Sequence, residues 1–151
     1  ISSFWTSTAT SGVTMCTSAK LGTQTTLAPT LITLGPELVF DLYLNNNRIA
    51  ATVNDIAHDT SGAGELQQNE KTHVCMSIST NNELIFYRNA SRILQKTANF
   101  EGVAASSKIG LGSNPFSGGG IHGFVGCLES VRVWSRVLSD AEVRSVAAAA
   151  A

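Results

Sequence analysis

Between residues 37 and 98 the chain alternates short apolar–polar runs with asparagine-rich breaks, and that rhythm excludes most folds. In residues 37–44, Leu38, Phe40, Leu42 and Leu44 face one way and Val39, Asp41 and Tyr43 the other, the period of two of a half-buried strand. Asn45, Asn46 and Asn47 follow, and asparagine tolerates the left-handed backbone of tight hairpins, so residues 48–54 return with Ile49, Ala51 and Val53 inward. Residues 72–79 form the next strand, with Val74, Met76 and Ile78 on one face. Asn81 and Asn82 turn it into residues 84–88, and residues 89–92 turn it again into residues 93–98. Antiparallel strands at this spacing, with no helices between them, favour a sandwich over a parallel α/β sheet. Residues 55–70 keep no period and contain Ser-Gly-Ala-Gly, which predicts a surface loop.

The flanks continue the pattern. Residues 2–6 and 13–17 read as Ser/Thr-rich strands of half-exposed sheet surface, and residues 30–34 as another, stopped by Gly35-Pro36. Near the C-terminus come a short apolar strand (Ile109, Leu111), a glycine-rich loop from Gly112 to Gly120, a strand over residues 123–134 and a short helix. Ser139 and Glu142 form a capping box at its start, with Leu138 and Val143 as a hydrophobic staple. The alanines at 147–151 are compatible with its continuation. The apolar phase slips by one residue between Leu128 and Val131, which predicts a bulge. The expected core is Phe40, Leu42, Val74, Met76, Ile78, Phe86, Leu111, Phe124, Leu128, Val131 and Val133.

With 151 residues, 43% of them hydrophobic, the chain is long enough for one domain with a real core. Ten basic residues scattered among eleven acidic ones form no basic stripe, so nucleic acid is not an expected partner. No apolar run approaches the roughly 18 residues of a membrane span, so membrane insertion is not expected. Ile1 reads as a processed or excised start. Cys16, Cys75 and Cys127 are odd in number and lack the C-x-x-C spacing of a zinc site. Either one pair forms a disulfide and leaves a thiol, or all three are small buried hydrophobes of a reducing compartment.

A family resemblance rests on the closing residues. Ile109-Gly110, the glycine-rich loop, then Phe124, Gly126, Leu128, Val131, Val133 and Trp134, and finally Leu138, Ser139 and Glu142 resemble the closing segment of laminin-G-like and pentraxin-like domains. His73-Val74-Cys75 followed by Leu84-Ile85-Phe86-Tyr87 resembles that family's paired strands, so the likeness runs from Thr72 onward. It implies an all-β, antiparallel two-sheet jelly-roll sandwich of the concanavalin A-like type with a short C-terminal helix, one domain over residues 1–151. Set against the family, one or two strands ahead of residues 2–6 are missing, which implies a segment of a longer polypeptide. The family's disulfide implicates Cys75. Its usual partner position, near Phe4-Trp5, holds no cysteine, which leaves Cys16 as a displaced candidate.

Some sandwiches of this shape hydrolyse glycans, which takes two carboxyl groups about 5 to 9.5 Å apart. The β-glucanase-like relatives carry E-x-D-x-x-E on the relevant strand. Here that strand offers only Glu129, while Glu65, Glu70 and Glu83 fall in turns or loops. With no G-x-S-x-G elbow and no partners for a histidine triad, the chain is read as a non-enzyme. Where pentraxin-like domains place calcium-binding acids, this chain has Gly112-Ser113-Asn114-Pro115, so no cofactor is expected. Calcium at Asp55 and Asp59 with Asn114 is the remaining candidate, against the plainer reading that Asp and Asn shape turns.

Glycan recognition, the common use of the family, needs an aromatic face and polar groups for hydroxyls. Asn114, Phe116 and His122 offer these in the glycine-rich loop, unless Phe116 packs down as a lid. Tyr87 and Tyr43 are expected to reach solvent or a partner, and Trp5 and Trp134 to be core. The implied function is a non-catalytic, adhesion- or lectin-like module, extracellular or at the cell surface, binding glycans or extracellular proteins. The alternatives are a structural sandwich packed against neighbouring domains of the same chain in a surface or filament assembly, or an accessory domain of a glycan-processing enzyme. Asn89-Ala90-Ser91 is the one N-glycosylation sequon.

Overall fold

A computed structural model describes residues 12–26, 28–35, 40–102, 108–114 and 123–151. The expected strand at residues 2–6, Trp5, Leu38 and most of the glycine-rich loop lie outside them. In chain order the strands are β1 (Gly12–Leu21), β2 (Thr30–Gly35), β3 (Phe40–Asn45), β4 (Arg48–Val53), β5 (Ile56–Asp59), β6 (Lys71–Ser79), β7 (Glu83–Arg88), β8 (Ser91–Thr97), β9 (Lys108–Leu111) and β10 (Gly126–Trp134). A helix, α1 (Asp140–Ala149), follows. The strands form two five-stranded antiparallel sheets, β10-β1-β6-β7-β8 and β5-β4-β3-β2-β9.

The asparagine breaks act as their chemistry dictates. Asn46 and Asn47 have φ of 50° and 63°, and Asn89 and Ala90 have 47° and 67°, so both hairpins close through two left-handed residues whose twist matches that of the strands. Asn54 and Asp55 do the same, at 48° and 67°. That turn corrects the loop expected over residues 55–70, because it folds Ile56–Asp59 back as the edge strand β5, followed by a short 3-10 turn at Ser61–Gly64. The periodicity missed β5 because an edge strand of four residues, with Ile56 exposed, has no buried face to impose one.

Phe40, Leu42, Val74, Met76, Ile78 and Phe86 are fully buried between the sheets. The closing strands fill the core less completely than expected. Leu128, Val131, Val133 and Phe124 are only partly buried against it, and Leu111 is 53% exposed. The reason is topological, since among the described residues β9 and β10 each pair on one side only. The phase slip is a bulge: Cys16 pairs with Arg132 and Ser18 with Glu129, so Ser130 and Val131 oppose the single residue Thr17. Ser130 takes φ of 52°, and the Thr17 hydroxyl donates to the carbonyl of Glu129 at 3.0 Å, satisfying an acceptor at the bulge.

β1 corrects another expectation. Its Ser/Thr composition suggested half-exposed surface, yet Thr14, Thr17 and Ser18 are buried. β1 is flanked by β6 and β10, and α1 closes over part of its outer face. Cys16, Cys75, Ile85, Tyr87, Leu138 and Val143 form a second apolar cluster there, with Trp134 and Val146 packed against it. The Thr14 hydroxyl donates to the Arg136 carbonyl at 2.8 Å and accepts from the Leu138 N–H at 3.0 Å, fixing the chain as it enters the helix. Cys16 and Cys75, opposite each other in the β1–β6 ladder, are joined by a disulfide. Cys127 is free and exposed.

The helix is anchored by charge as well. The Ser139–Glu142 capping box is formed, and Arg136 holds both oxygens of Glu142, at 2.7 and 3.0 Å. Arg136 and the Ser139 N–H together draw the Glu142 carboxyl down to about 2. Tyr87 donates to Asp140 at 2.8 Å, and burial together with that bond pushes its phenol up to about 12. Arg92 and Tyr87 hold the Asp140 carboxyl below its ordinary value.

Three outcomes follow. Phe40→Ala should cost about 3 to 5 kcal/mol in urea unfolding, whereas Leu111→Ala should stay within about 0.5 kcal/mol. A carboxylate held low stabilises the fold above its unfolded value and loses that contribution as pH falls through the folded one. Acidification from pH 4.5 toward 2 should therefore lower the melting temperature, and Glu142→Gln should flatten that dependence. On the alkaline side the Tyr87 contribution is complete below pH 10.0 and disappears as pH rises through about 12.

Candidate functional site

The outer face of the second sheet carries the most organised polar chemistry. Along β3, Asp41, Tyr43 and Asn45 point to this face, because Phe40, Leu42 and Leu44 take the core. In register beside Tyr43 stands Ala50 on β4, and beyond it Asp59 on β5. A small neighbour leaves the half-buried tyrosine ring uncovered by β4. Asp59 is held from three directions: Asn45 Nδ2 at 2.8 Å, Arg48 at 3.3 Å and the Ser61 N–H at 3.0 Å. Partial burial pushes its carboxyl up, but the Ser61 N–H, the Asn45 amide and the Arg48 guanidinium together hold it below the ordinary carboxylate range.

On the other side of Tyr43, Asp41 accepts from Asn114 Nδ2 at 2.9 Å, and both residues are buried. Asn114 follows β9, so the glycine-rich loop starts by crossing β2 to reach β3. Tyr43 thus lies between two carboxylates, each arranged by an amide partner. Burial, then Asp59, then Asp41 raise its phenol. At neutral pH the hydroxyl keeps its proton and can both donate to and accept from a hydroxyl-bearing ligand.

The expected ligand residues do not all meet here. Asn114 reaches this face, but as the buried partner of Asp41. Phe116 and His122 lie outside the described residues. Tyr87 corrects the expectation of exposure: it sits on the first sheet, 1% exposed, with its hydroxyl committed to Asp140. Strand alternation did point it outward, but α1 lies across that face, which no local pattern reveals. Tyr43, opposite it in the molecule, is the tyrosine with a half-open ring.

The described residues do not assemble a calcium site from Asp55, Asp59 and Asn114. Asp59 is paired with a guanidinium, Asn114 is turned to Asp41, and Asp55 is exposed in the β4–β5 turn, far short of six to eight convergent oxygens. Among the described residues, the one convergent group of His, Cys, Asp or Glu is Cys16, His73 and Cys75. Glu129, the lone acid of the strand tested for hydrolysis, is exposed and paired with Lys71 at 2.6 Å.

On the outer face of the first sheet, beside α1, the sequon asparagine stands at a hairpin tip. Asn89 is exposed, and its Oδ1 accepts from the His73 N–H at 3.0 Å. Its Nδ2, the atom to which a glycan attaches, makes no hydrogen bond among the described residues. Burial, then Arg132, lower the pKa of the neighbouring His73, which keeps its imidazole neutral at pH 7.

Several solved structures share this architecture. A native heptameric SAP-like pentraxin from Limulus polyphemus superposes with a TM-score of 0.76 at 18% identity, over 95% of this chain and 73% of that one. The CBM40 of the Ruminococcus gnavus IT-sialidase, bound to α2,3-sialyllactose, gives 0.74 at 19%, over 92% and 83%. Domain 4 of AbnA, an extracellular arabinanase from Geobacillus stearothermophilus, in complex with arabinotriose, gives 0.70 at 18%, over 92% and 68%. No curated protein matches the chain at a significant level. A laminin-G-type family model matches residues 2–144, nearly the whole sequence. With the two-sheet jelly roll and the closing motif, that match places the chain in the concanavalin A-like lectin/glucanases superfamily, to which it belongs.

Proposed function

We propose that this chain is a non-catalytic recognition module, extracellular or at the cell surface, that binds glycans through the outer face of its second sheet. The observation that carries the reading is Tyr43, half-open between Asp41–Asn114 and Asp59–Asn45. A sugar presents a C–H face to an aromatic ring and hydroxyls around its rim, and this arrangement offers a platform flanked by pre-oriented acceptors and amides. Such groups lose little freedom on binding, because each is already held by a partner. Support also comes from two similar structures that hold oligosaccharides, sialyllactose and arabinotriose. Both are parts of glycan-processing enzymes, so an accessory domain of such an enzyme is the same reading in another setting.

A second reading draws on Ile109, Leu111 and Val125, which expose apolar surface on β9 and at the entrance to β10. That surface suits a structural sandwich packed against neighbouring domains.

Titration of the domain with neutral, sialylated and arabinose-containing oligosaccharides separates the two. Saturable binding to one class is expected, weakened about tenfold by Tyr43→Ala, which corresponds to about 1.4 kcal/mol. Asp59→Asn should weaken it too, with the far-ultraviolet circular dichroism of both variants unchanged. Absence of binding to every class would favour the structural role.

The sequon belongs to the same proposal. In material secreted by a eukaryotic cell, mass spectrometry of the peptide containing Asn89 should show a glycan mass, lost in Asn89→Gln. An unmodified Asn89 in that material would remove it from the reading.

A further inference from the structure

Cys16 and Cys75 face each other across the β1–β6 ladder, and His73, two residues before Cys75, projects from the same face. The two Sγ atoms and an imidazole nitrogen lie within 4.8 Å of one another, with His73 Nδ1 3.8 Å from Cys75 Sγ. While the sulfurs are bonded to each other they are poor ligands. We propose that on reduction these three side chains become a zinc site, so that the link between β1 and β6 exists in two forms: a covalent bond under oxidising conditions and a metal bridge under reducing ones.

The chemistry balances with an external thiol as reductant. Two thiol molecules give two electrons and two protons to the S–S bond and leave joined as their own disulfide, while Cys16 and Cys75 become thiols. Zinc binding then releases both thiol protons to solvent, and the two thiolates neutralise the ion's charge. Zinc–sulfur and zinc–nitrogen bonds of about 2.3 and 2.0 Å in a tetrahedron set donors roughly 3.3 to 3.8 Å apart. Donors already within 4.8 Å reach that spacing by small side-chain rotations.

Three further features suit the site. Two thiolates with an imidazole favour zinc over calcium or magnesium. Arg132 pairs directly with Cys16 across the β1–β10 ladder, and a nearby cation favours the thiolate form. His73 is 6% exposed and its Nε2 has no partner among the described residues, yet the residue lines a cleft of about 420 Å³ together with Ser18, Lys71, Asn89 and Arg144. The cleft reaches the site at the imidazole alone, so an ion enters past His73 toward sulfurs that are themselves fully buried. Local spacing along the chain excluded zinc because the ligands come from two strands, and only their register joins them.

The test uses the whole chain carrying Cys127→Ser, which removes the exposed thiol, and cobalt(II) as a coloured stand-in for zinc. Reduced protein should take up one cobalt per chain with a thiolate-to-cobalt charge-transfer band, and zinc should displace it. Oxidised protein should take up none. His73→Ala should weaken uptake about tenfold or more, and Cys75→Ser should abolish the band. If reduction alone unfolds the chain, recovery of the strand signal in circular dichroism on adding zinc supports the site, and failure to recover overturns it. Absence of the band in reduced, folded protein, or its survival in Cys75→Ser, also overturns it.

Discussion

β1 is the strand on which the first sheet and the helix both hang. It pairs along its length with β6 on one side and with β10 on the other, and it is cross-linked to β6 by Cys16–Cys75. Its hydroxyls are as important as its apolar residues. Thr14 bonds the chain entering α1, and Thr17 bonds the bulge in β10. A buried hydroxyl without a partner is costly, so each of these bonds fixes the position of the element it reaches. The buried face of α1 therefore depends on polar contacts made by the strand beneath it.

The parts of this architecture readable from sequence are those set by neighbours in the chain. Left-handed asparagines mark hairpins, Ser139 and Glu142 mark a helix start, and a broken alternation marks a bulge. The residues that were misread depend on distant elements. Tyr87 and Thr14 looked exposed or half-exposed because α1 and the segment that leads into it, 49 or more positions along the chain from either, lie against them. Leu111 looked buried because its strand alternates correctly, although among the described residues β9 pairs with β2 alone. Residues 54–59 hid a hairpin whose Asn54-Asp55 turn was a visible signal, overlooked because no buried face followed it.

The candidate site shows the same division. Alternation along β3 put Asp41 and Tyr43 on the face away from the core, and that much is local. That Asn114 comes to rest on Asp41, 73 positions away, is a product of the crossing from β9 over β2. The acids and amides around Tyr43 are scattered through the sequence without a motif. What gathers them is sheet register, which also brings Cys16, Cys75 and His73 together on the opposite side of the molecule.

The bulge at Ser130 has an effect well beyond its own geometry. Before it, Leu128 faces the core and Glu129 faces out; after it, Val131 and Val133 face the core while Arg132 and Trp134 face out. One inserted residue has reversed the parity of everything downstream. Removing Ser130 would therefore leave the site of deletion looking repaired, with a regular ladder and no left-handed residue. The faces downstream would also survive, because Val131 would oppose Thr17 alone and Trp134 would stay outward under α1; a residue lost between Val131 and Trp134 with the bulge kept would instead turn Trp134 inward and take from α1 the ring it rests on. Parity set by a single residue is thus transmitted to the helix, and an insertion or deletion in β10 beyond the bulge would be read out at the far end of the domain.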